Sequence, residues 1–572
     1  MTIGNFITYT GIWLYPPFAL LTWVIMQSIA EDWGISMTVV YLCTAIIPLI
    51  FPITMTATNR DRQRRGQTDF SLKATLSLSE KDEKHSKAYI DAAYPKAPLN
   101  YSSPVPTGLI VGKQGKKYIY CPIEKDGINA FCVGTPGSGK SVLLLSWIYS
   151  MMYRQEIADA AKVKVSGRQW NTFLVDIKGE LFEKLLQIKS AEYHAEDYPE
   201  FHVVQPSNRN SYGWDVFYRV HKKGVTETEI IKAVSDIADA LVVATGDNPY
   251  FSDNAKKILS GILYYAVKSD WEFVPTIQKL MRTNFGELLT QIVADAEERH
   301  MGIVISMLKS FTGKEGNESI QDIESTLKSY LDVFSYPDIE YCMYHNPNKT
   351  SPAALNDGIT NLDLAIEEAM LEAYRPIFRL VTMQVLRHAE SEFKEDDDRY
   401  TCLILDEAAR VAGSQNDGLD SAMATLRNRH TALICLYQSI SQFKDIYPEQ
   451  KAMTLLNLCE LKIFLSGSGD KDTADYVSGM AGEYESTSMS YKKKGAFGGK
   501  SDGSYSQNRR PIVENSDLLK LREKGEVIAF IYGHYVRCKK MRYFEDSLLK
   551  PILEKHKKER QKEGRKPEKS GD

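Results

Sequence analysis

The chain has 572 residues, of which 43% are hydrophobic and 25% charged. That is room for about two to four globular domains of ordinary composition. The net charge of -4 excludes a global basic field, so any nucleic-acid contact has to come from local patches or from assembled subunits. The cysteines at 43, 121, 132, 342, 402, 435, 459 and 538 are scattered through mostly apolar runs, with no C-x-x-C pair and no His at metal spacing. They predict reduced, buried thiols of a cytosolic protein.

In chain order, residues 6–30 and 35–57 are apolar stretches, separated only by Glu31, Asp32, Trp33 and Gly34. Each is close to the ~20 residues that a bilayer-spanning helix needs, which predicts a transmembrane hairpin. A signal peptide does not fit: residues 1–5 carry no Lys or Arg, and a second apolar segment follows directly. Arg60, Arg62, Arg64 and Arg65 follow the second stretch while the turn is acidic, which predicts both termini on the cytoplasmic side. Pro16, Pro17, Pro48 and Pro52 would kink such helices, a defect that packing against neighbours tolerates, so the anchor is also a candidate assembly surface.

Residues 67–106 are polar and carry four prolines, a linker into the soluble body. Residues 108–111 and 117–123 predict a hairpin around Lys113-Gln114-Gly115, and residues 130–133 the strand that delivers the most informative motif. Phe131-Cys-Val-Gly-Thr-Pro-Gly-Ser-Gly-Lys-Ser141 fits G-x-x-x-x-G-K-[ST], with an apolar strand before it and a helical pattern after it. It predicts a phosphate-binding loop built from Gly134, Thr135, Pro136, Gly137, Ser138, Gly139, Lys140 and Ser141. Glycines let the backbone N–H groups turn inward, the helix start presents its positive end, Lys140 reaches the outer phosphates, and Ser141 ligates Mg²⁺. The ligand expected there is ATP or GTP.

Residues 172–176 form an apolar strand ending in a carboxylate, so Asp176 and Lys178 either face the nucleotide crevice or belong to an ordinary strand-to-helix turn. From 226 to about 393 the pattern is helical apart from a short strand at 359–366, and residues 270–355 are expected to form a separate lobe inserted into the sheet domain. Cys402-Leu-Ile-Leu-Asp406-Glu407 supplies the partner of the phosphate loop: Asp406 to hold the Mg²⁺ shell, Glu407 to orient or deprotonate the attacking water. The two motifs together predict an ATPase. The strand 432–437 ends in Gln438, either a γ-phosphate sensor or a polar residue at the core edge. Arg427 and Arg429 precede it, either donating charge to a neighbour's nucleotide or standing solvated.

Residues 461–465 and 527–532 read as further strands. The flexible segment 492–510, with Lys492 to Lys494, Phe497, Lys500, Tyr505, Arg509 and Arg510, has the composition of a single-strand nucleic-acid contact or of a solvated loop. The tail from 555 lacks apolar residues and is expected to be disordered. The expected division is 1–65 anchor, 66–269 and 356–550 the two parts of the nucleotide-binding domain, 270–355 the all-alpha domain, and 551–572 the charged tail.

These motifs in this order, with Val175-Asp-Ile-Lys-Gly-Glu-Leu181, Gln438-Ser-Ile-Ser-Gln442, Asp470-Lys-Asp-Thr-Ala474 and Arg510-Pro511, resemble the type IV coupling proteins of conjugation and secretion systems (TraG/TraD type) over nearly the whole chain. Ile177 stands where that family commonly has proline. The resemblance implies an α/β fold: a RecA-like P-loop domain with an inserted all-α domain and a two-helix transmembrane anchor. It further implies a hexameric motor ATPase at the bacterial inner membrane, using ATP and Mg²⁺. Its implied partners are DNA, single-stranded and bound without sequence preference, relaxosome or effector proteins, and membrane components of the secretion channel. By position, Lys140 and Ser141 bind nucleotide, Asp406 and Glu407 serve Mg²⁺ and hydrolysis, Gln438 couples nucleotide state to the body, and Arg427 is the arginine finger. Two other readings share the core: a receptor for exported protein effectors, and a chromosome-segregation DNA translocase. The latter normally has a longer anchor and a carboxyl-terminal winged helix, for which this basic tail is too short.

Overall fold

Strands buried at every position, as in Ile128–Val133, Trp170–Asp176, Tyr400–Leu405 and Thr431–Tyr437, require cover on both faces, the situation of a parallel sheet. The computed structural model describes residues 15–64, 87–106, 108–122, 127–164, 170–243, 249–313, 318–392, 400–409, 418–466, 469–491 and 503–563. In chain order its strands are β1 (Ser102–Ser103), β2 (Leu109–Gln114), β3 (Lys117–Cys121), β4 (Ile128–Val133), β5 (Trp170–Asp176), β6 (Phe201–Val204), β7 (Gly213–Trp214), β8 (Lys349–Thr350), β9 (Asn361–Ala365), β10 (Tyr400–Leu405), β11 (Thr431–Tyr437), β12 (Leu461–Phe464), β13 (Glu483–Tyr491), β14 (Gly503–Pro511), β15 (Glu526–Ile531) and β16 (His534–Lys539). Two compact units divide the chain: residues 1–96, 474–518 and 535–537, and residues 97–473, 519–534 and 538–572.

A twelve-stranded sheet has the order β1-β3-β2-β16-β15-β12-β4-β11-β10-β5-β9-β6. Pairing is parallel from β12 through β6 and antiparallel at the other end. β11 stands between β4 and β10, with Tyr437 beside Val133 and Leu405 beside Cys435. The segments after β4, β11 and β10 therefore leave the sheet side by side at its carboxyl edge, where ligands bind in open α/β sheets. The helix Lys140–Met152 that follows β4 is fixed by Trp147, which is fully buried and donates from Nε1 to the Ile110 carbonyl at 2.6 Å.

The helical insertion starts with Glu227–Leu241, where Thr226 accepts from the Glu229 N–H and the Glu229 carboxylate returns to the Thr226 N–H at 2.8 Å. That helix packs on both Tyr250–Lys268 and Arg375–Glu392, and Tyr250–Lys268 packs on Gly302–Leu308 and Glu318–Leu331. An added Cβ at Gly261 would lie 2.7 Å from a Leu308 methyl, so the absence of a side chain there is what lets those helices meet. Helix packing therefore joins elements on both sides of the boundary expected near 270. The short strand expected at 359–366 is β9, an internal strand between β5 and β6.

Two expectations are corrected. The tail expected to be disordered from 551 is instead helical over Leu549–Glu563, and residues 564–572 lie outside the described residues. Leu549, Ile552 and Leu553 form a buried i, i+3, i+4 stripe that the surrounding charge alternation hides. His556 stacks on Tyr153 with 4.4 Å between ring centroids and meets Glu156 at 2.6 Å, while Arg560 donates to the Leu186 carbonyl at 2.6 Å, at the end of the helix Leu181–Leu186. A cation at a helix carboxyl end is favourably placed. The flexible basic segment, in turn, is partly strand: β13 and β14 pair antiparallel with Tyr491 opposite Gly503, placing Tyr505, Arg509 and Arg510 on β14, and residues 492–502 lie outside the described residues.

In the first unit the apolar stretches form the helices Tyr15–Trp33 and Met37–Arg64, turned at Gly34 (φ +63°) and linked by the Tyr15 hydroxyl donating to the Ala45 carbonyl at 3.2 Å. Leu20, Leu21, Val24, Ile25, Leu42 and Ile46 are exposed. Among the described residues no helix is long and apolar enough to cross a membrane. Between Pro17 and Glu31 the first helix offers an apolar length of roughly 20 Å at ~1.5 Å per residue, short of the ~30 Å hydrocarbon core. Residues 6–14, which begin the expected first span, lie outside the described residues.

Candidate nucleotide site

The phosphate loop is a tight backbone cradle. The Gly134 N–H donates to the Tyr437 carbonyl at 3.1 Å, the Ser138 N–H to the Thr135 carbonyl at 3.0 Å, and the Thr135 hydroxyl meets the Ser466 hydroxyl at 2.9 Å. Gly137 (φ +74°) and Gly139 (φ +100°) take left-handed conformations that side chains resist. A Cβ at Gly134 would lie 2.4 Å from the Ser138 hydroxyl. Pro136 is exposed, and the helix begins at Lys140 with no side chain capping its first turn, so the N–H groups there are presented to an anion. Ser141 is exposed on that turn. The buried Ser138 hydroxyl has no hydrogen-bond partner among the described residues.

Facing this cradle is a carboxylate gripped on both oxygens. Glu407 follows β10 at φ +59°, a conformation that costs a non-glycine residue energy and that surrounding contacts must sustain. Its Oε2 pairs with Lys140 Nζ at 3.3 Å, and its Oε1 accepts from the side-chain amides of Gln438 at 2.8 Å and Gln442 at 3.0 Å. Gln442 also accepts the Gln438 backbone N–H on its own amide oxygen at 2.8 Å. Ser439 caps the helix Ile440–Ile446 by accepting the Gln442 N–H at 3.1 Å, which sets Gln442 in the first turn. Gln442 was not among the site residues expected from the sequence; its signal was the Gln-x-x-x-Gln spacing around a Ser cap. Beside Glu407, Asp406 is pushed up to about 6, by burial first, with the Glu407 charge adding and Lys140 and Lys178 opposing.

The remaining candidates are engaged in other contacts. Asp176 is buried and its carboxylate accepts the N–H groups of Leu181 at 2.6 Å, Phe182 at 3.2 Å and Lys178 at 3.3 Å, so it holds the turn after β5. Lys178 is exposed and pairs with Glu368 at 3.5 Å. Arg427 stands at the amino end of β11, paired with Glu460 at 3.0 Å, and Glu460 also accepts the Asn129 N–H at 2.9 Å. The seven residues of β11, at ~3.3 Å each, put about 23 Å between that edge and Gln438. Arg427 and Arg429 are therefore out of reach of the site in their own chain.

A nucleoside triphosphate with Mg²⁺ fits these residues. The loop offers uncapped N–H groups and an unpartnered buried hydroxyl. Among the described residues no group of three or more His, Cys, Asp or Glu could hold a metal, so a cation at Asp406 and Ser141 requires phosphate oxygens and water in its shell, as Mg²⁺ does in nucleotide enzymes.

Burial also makes the turn after β5 titrate. Asp176 is raised from 3.8 to about 6, by burial first and by Asp406, against the pull of its N–H bonds. Between those values the folded state binds more protons than the unfolded one, so this group's contribution to stability falls as pH rises and its penalty is complete above about 6. Asp176→Asn keeps an oxygen for the N–H groups without the charge. Denaturation midpoints at pH 4 and pH 7 should show the variant gaining on the wild type by on the order of 3 kcal/mol; a difference that does not change with pH rejects this account.

Known proteins resemble this chain in sequence and in fold. The chain is 22% identical over 356 residues to the conjugal transfer protein TraG of Rhizobium radiobacter, covering 60% of this chain and 54% of that protein. It is 23% identical over 193 residues to the protein VirD4 of Rhizobium rhizogenes, covering 33% of this chain and 28% of that one. It thus spans about half the length, or less, of these curated relatives. The conjugative coupling protein TrwBdeltaN70, unbound, superposes with a TM-score of 0.55 at 18% identity, covering 77% of this chain and 90% of that one. TrwB in complex with a non-hydrolysable ATP analogue gives 0.56 at 17%, covering 77% and 91%. At these identities the likeness speaks for the fold alone. The model of the family described as type IV secretory system conjugative DNA transfer matches residues 168–569, and the chain belongs to that coupling-protein family.

Proposed function

We propose that this chain is a membrane-anchored motor ATPase that recruits a DNA–protein substrate and couples it to a type IV secretion channel. The observation that carries the reading is the Glu407 carboxylate, gripped by the phosphate-loop lysine on one oxygen and by two amides on the other, beside Asp406. That is the equipment of ATP hydrolysis in a chain of the coupling-protein family, and TrwB, which shares the fold, has been captured with an ATP analogue and with ADP and Mg²⁺.

In this reading the loop N–H groups and Lys140 bind the phosphates. Lys140 then leaves Glu407, whose Oε2 becomes the free acceptor for a proton of the attacking water, while Gln438 and Gln442 still hold Oε1 and fix the carboxylate's direction. Asp406 and Ser141 would hold Mg²⁺, which when bound would supply charge neutralisation on the transferred phosphoryl group. Gln438, bonded to Glu407 and rooted on β11, passes the state of the site to the sheet. Arg427, at the far edge, serves only a neighbouring subunit, which calls for a ring, in this family's case a hexamer. The exposed apolar side chains of the amino-terminal helices are the surface of the anchor.

Each part has its measurement. In steady-state assays with purified protein, Lys140→Ala should abolish nucleotide binding, and Glu407→Gln should bind ATP while hydrolysis falls roughly 10²- to 10⁴-fold. Gln442→Leu should lower kcat and leave KM in place, since it touches the base and not the phosphate loop. Normal turnover by Glu407→Gln would assign water activation to another residue.

For the ring, Arg427→Ala and Glu407→Gln subunits, each inactive alone, should regain activity when mixed in the presence of single-stranded DNA, because an intact finger then meets an intact acid. An in-trans finger is worth about 10³- to 10⁵-fold in the GTPase case, large enough to read. Undiminished ATPase in an assembled Arg427→Ala ring would sink the finger assignment.

For the anchor, a reporter fused after Arg65 should be active only in the cytoplasm, and a tag at Asp32 should be reachable only from outside the cell. Periplasmic activity of the fusion would reverse the orientation.

A further inference from the structure

The carboxyl-terminal part of the second unit brings cations to the phosphate loop. β15 runs antiparallel to β12 with Ile528 beside Phe464, and Phe464 lies beside Val133 on β4. The residues just before β15 and just after β16 consequently emerge at the same edge as the loop. There the Arg522 guanidinium lies against Gly137: a Cβ added to that glycine would sit 3.2 to 3.4 Å from the terminal guanidinium atoms. Lys540 Nζ donates to the Ser138 carbonyl at 2.8 Å. Arg542 is engaged with Glu545 at 3.0 Å, but among the described residues no carboxylate pairs with Arg522 or Lys540. Burial, then Arg542 and Arg522, pull Lys540 down to about 8. Cations gathered without a counter-charge beside uncapped helix N–H groups raise the energy of the empty site and lower it once an anion arrives.

We propose that Arg522 is a direct ligand of the phosphate chain of a bound nucleoside di- or triphosphate, forming a second wall of the site that the phosphate-loop motif does not disclose. The planar fork of arginine suits two phosphate oxygens, and its exposure leaves it free to turn onto them. This inference rests on the nucleotide reading above and adds a residue nearly four hundred positions away from the motif.

Its test is titration calorimetry on the full chain in detergent, with Mg²⁺-free ADP and, separately, inorganic tripolyphosphate. Arg522→Ala should weaken both by about 10-fold or more, the scale of a hydrogen bond to a charged group, and Arg522→Lys should keep part of the affinity. Because Arg522 is exposed, the thermal midpoint without ligand should stay in place for both variants. Wild-type binding matched by Arg522→Ala for both probes overturns the inference and leaves the ATPase reading standing. Weakened ADP with unchanged tripolyphosphate overturns the phosphate assignment, since the contact would then be to the nucleoside. A wild-type chain that binds neither probe overturns the nucleotide reading and this inference together.

Discussion

The contact between Lys140 and Glu407 is the point through which the rest of the site is connected. It joins the segment after β4 to the segment after β10, which the intervening β11 holds apart, and Gln438 at the end of β11 closes the triangle. Glu407 meets both partners from a left-handed backbone that a non-glycine residue adopts only at a cost. The compensation is local: an ion pair on one oxygen and two amide bonds on the other. A charged lysine and a charged carboxylate that satisfy each other in this way also keep the site stable until a more highly charged ligand competes for the lysine.

The parallel sheet imposes the second constraint, a separation of edges. Among the described residues, the contacts of the phosphate loop come from segments after strand carboxyl ends and from those flanking the antiparallel pair β15 and β16, which returns to the same edge. Arg427 sits at the other edge, its guanidinium held by Glu460, whose second oxygen is tied to the Asn129 N–H and whose carbonyl accepts the Tyr532 N–H at 2.8 Å. An arginine braced in this manner is held at the opposite end of β11 from the phosphate loop of its own chain. The half-exposed guanidinium and the largely buried carboxylate make the pair more than a surface ion pair, because one partner is already desolvated.

Buried acidity runs through the strands on the far side of β10. Asp363 on β9 is fully buried and pushed well above the usual carboxylate range, by burial first and by Asp176 next. Asn361 donates to it, and Thr172 on the adjacent strand donates to Asn361 in turn. Asp176, which acts on Asp363 through its charge alone, spends its oxygens on the N–H groups of the following turn. Carboxyl groups so placed are neutral over much of the acid range, and they tie the strand ends next to Asp406 to the protonation state of the interior.

The sequence alone singled out the loop at 134–141, the Asp406-Glu407 strand end, Gln438 and the helical stretch from 226, because each is a local pattern legible within a few residues and their neighbours' periodicity. It also supported the family resemblance through the order of those patterns. What only the tertiary structure decided is what depends on contacts between distant segments. Gln442 reaches Glu407 because β11 lies beside β10, and Asp176 turns from the crevice to its own turn because its carboxylate is buried among N–H donors. The charged tail becomes helix because three apolar residues find a surface to cover, and Arg522 meets Gly137 because an antiparallel strand pair returns the chain to the loop. Periodicity and motif spacing record which residues share a turn or a face; they carry no record of which strand is laid next to which. That adjacency is fixed by the burial of both sheet faces over the whole domain.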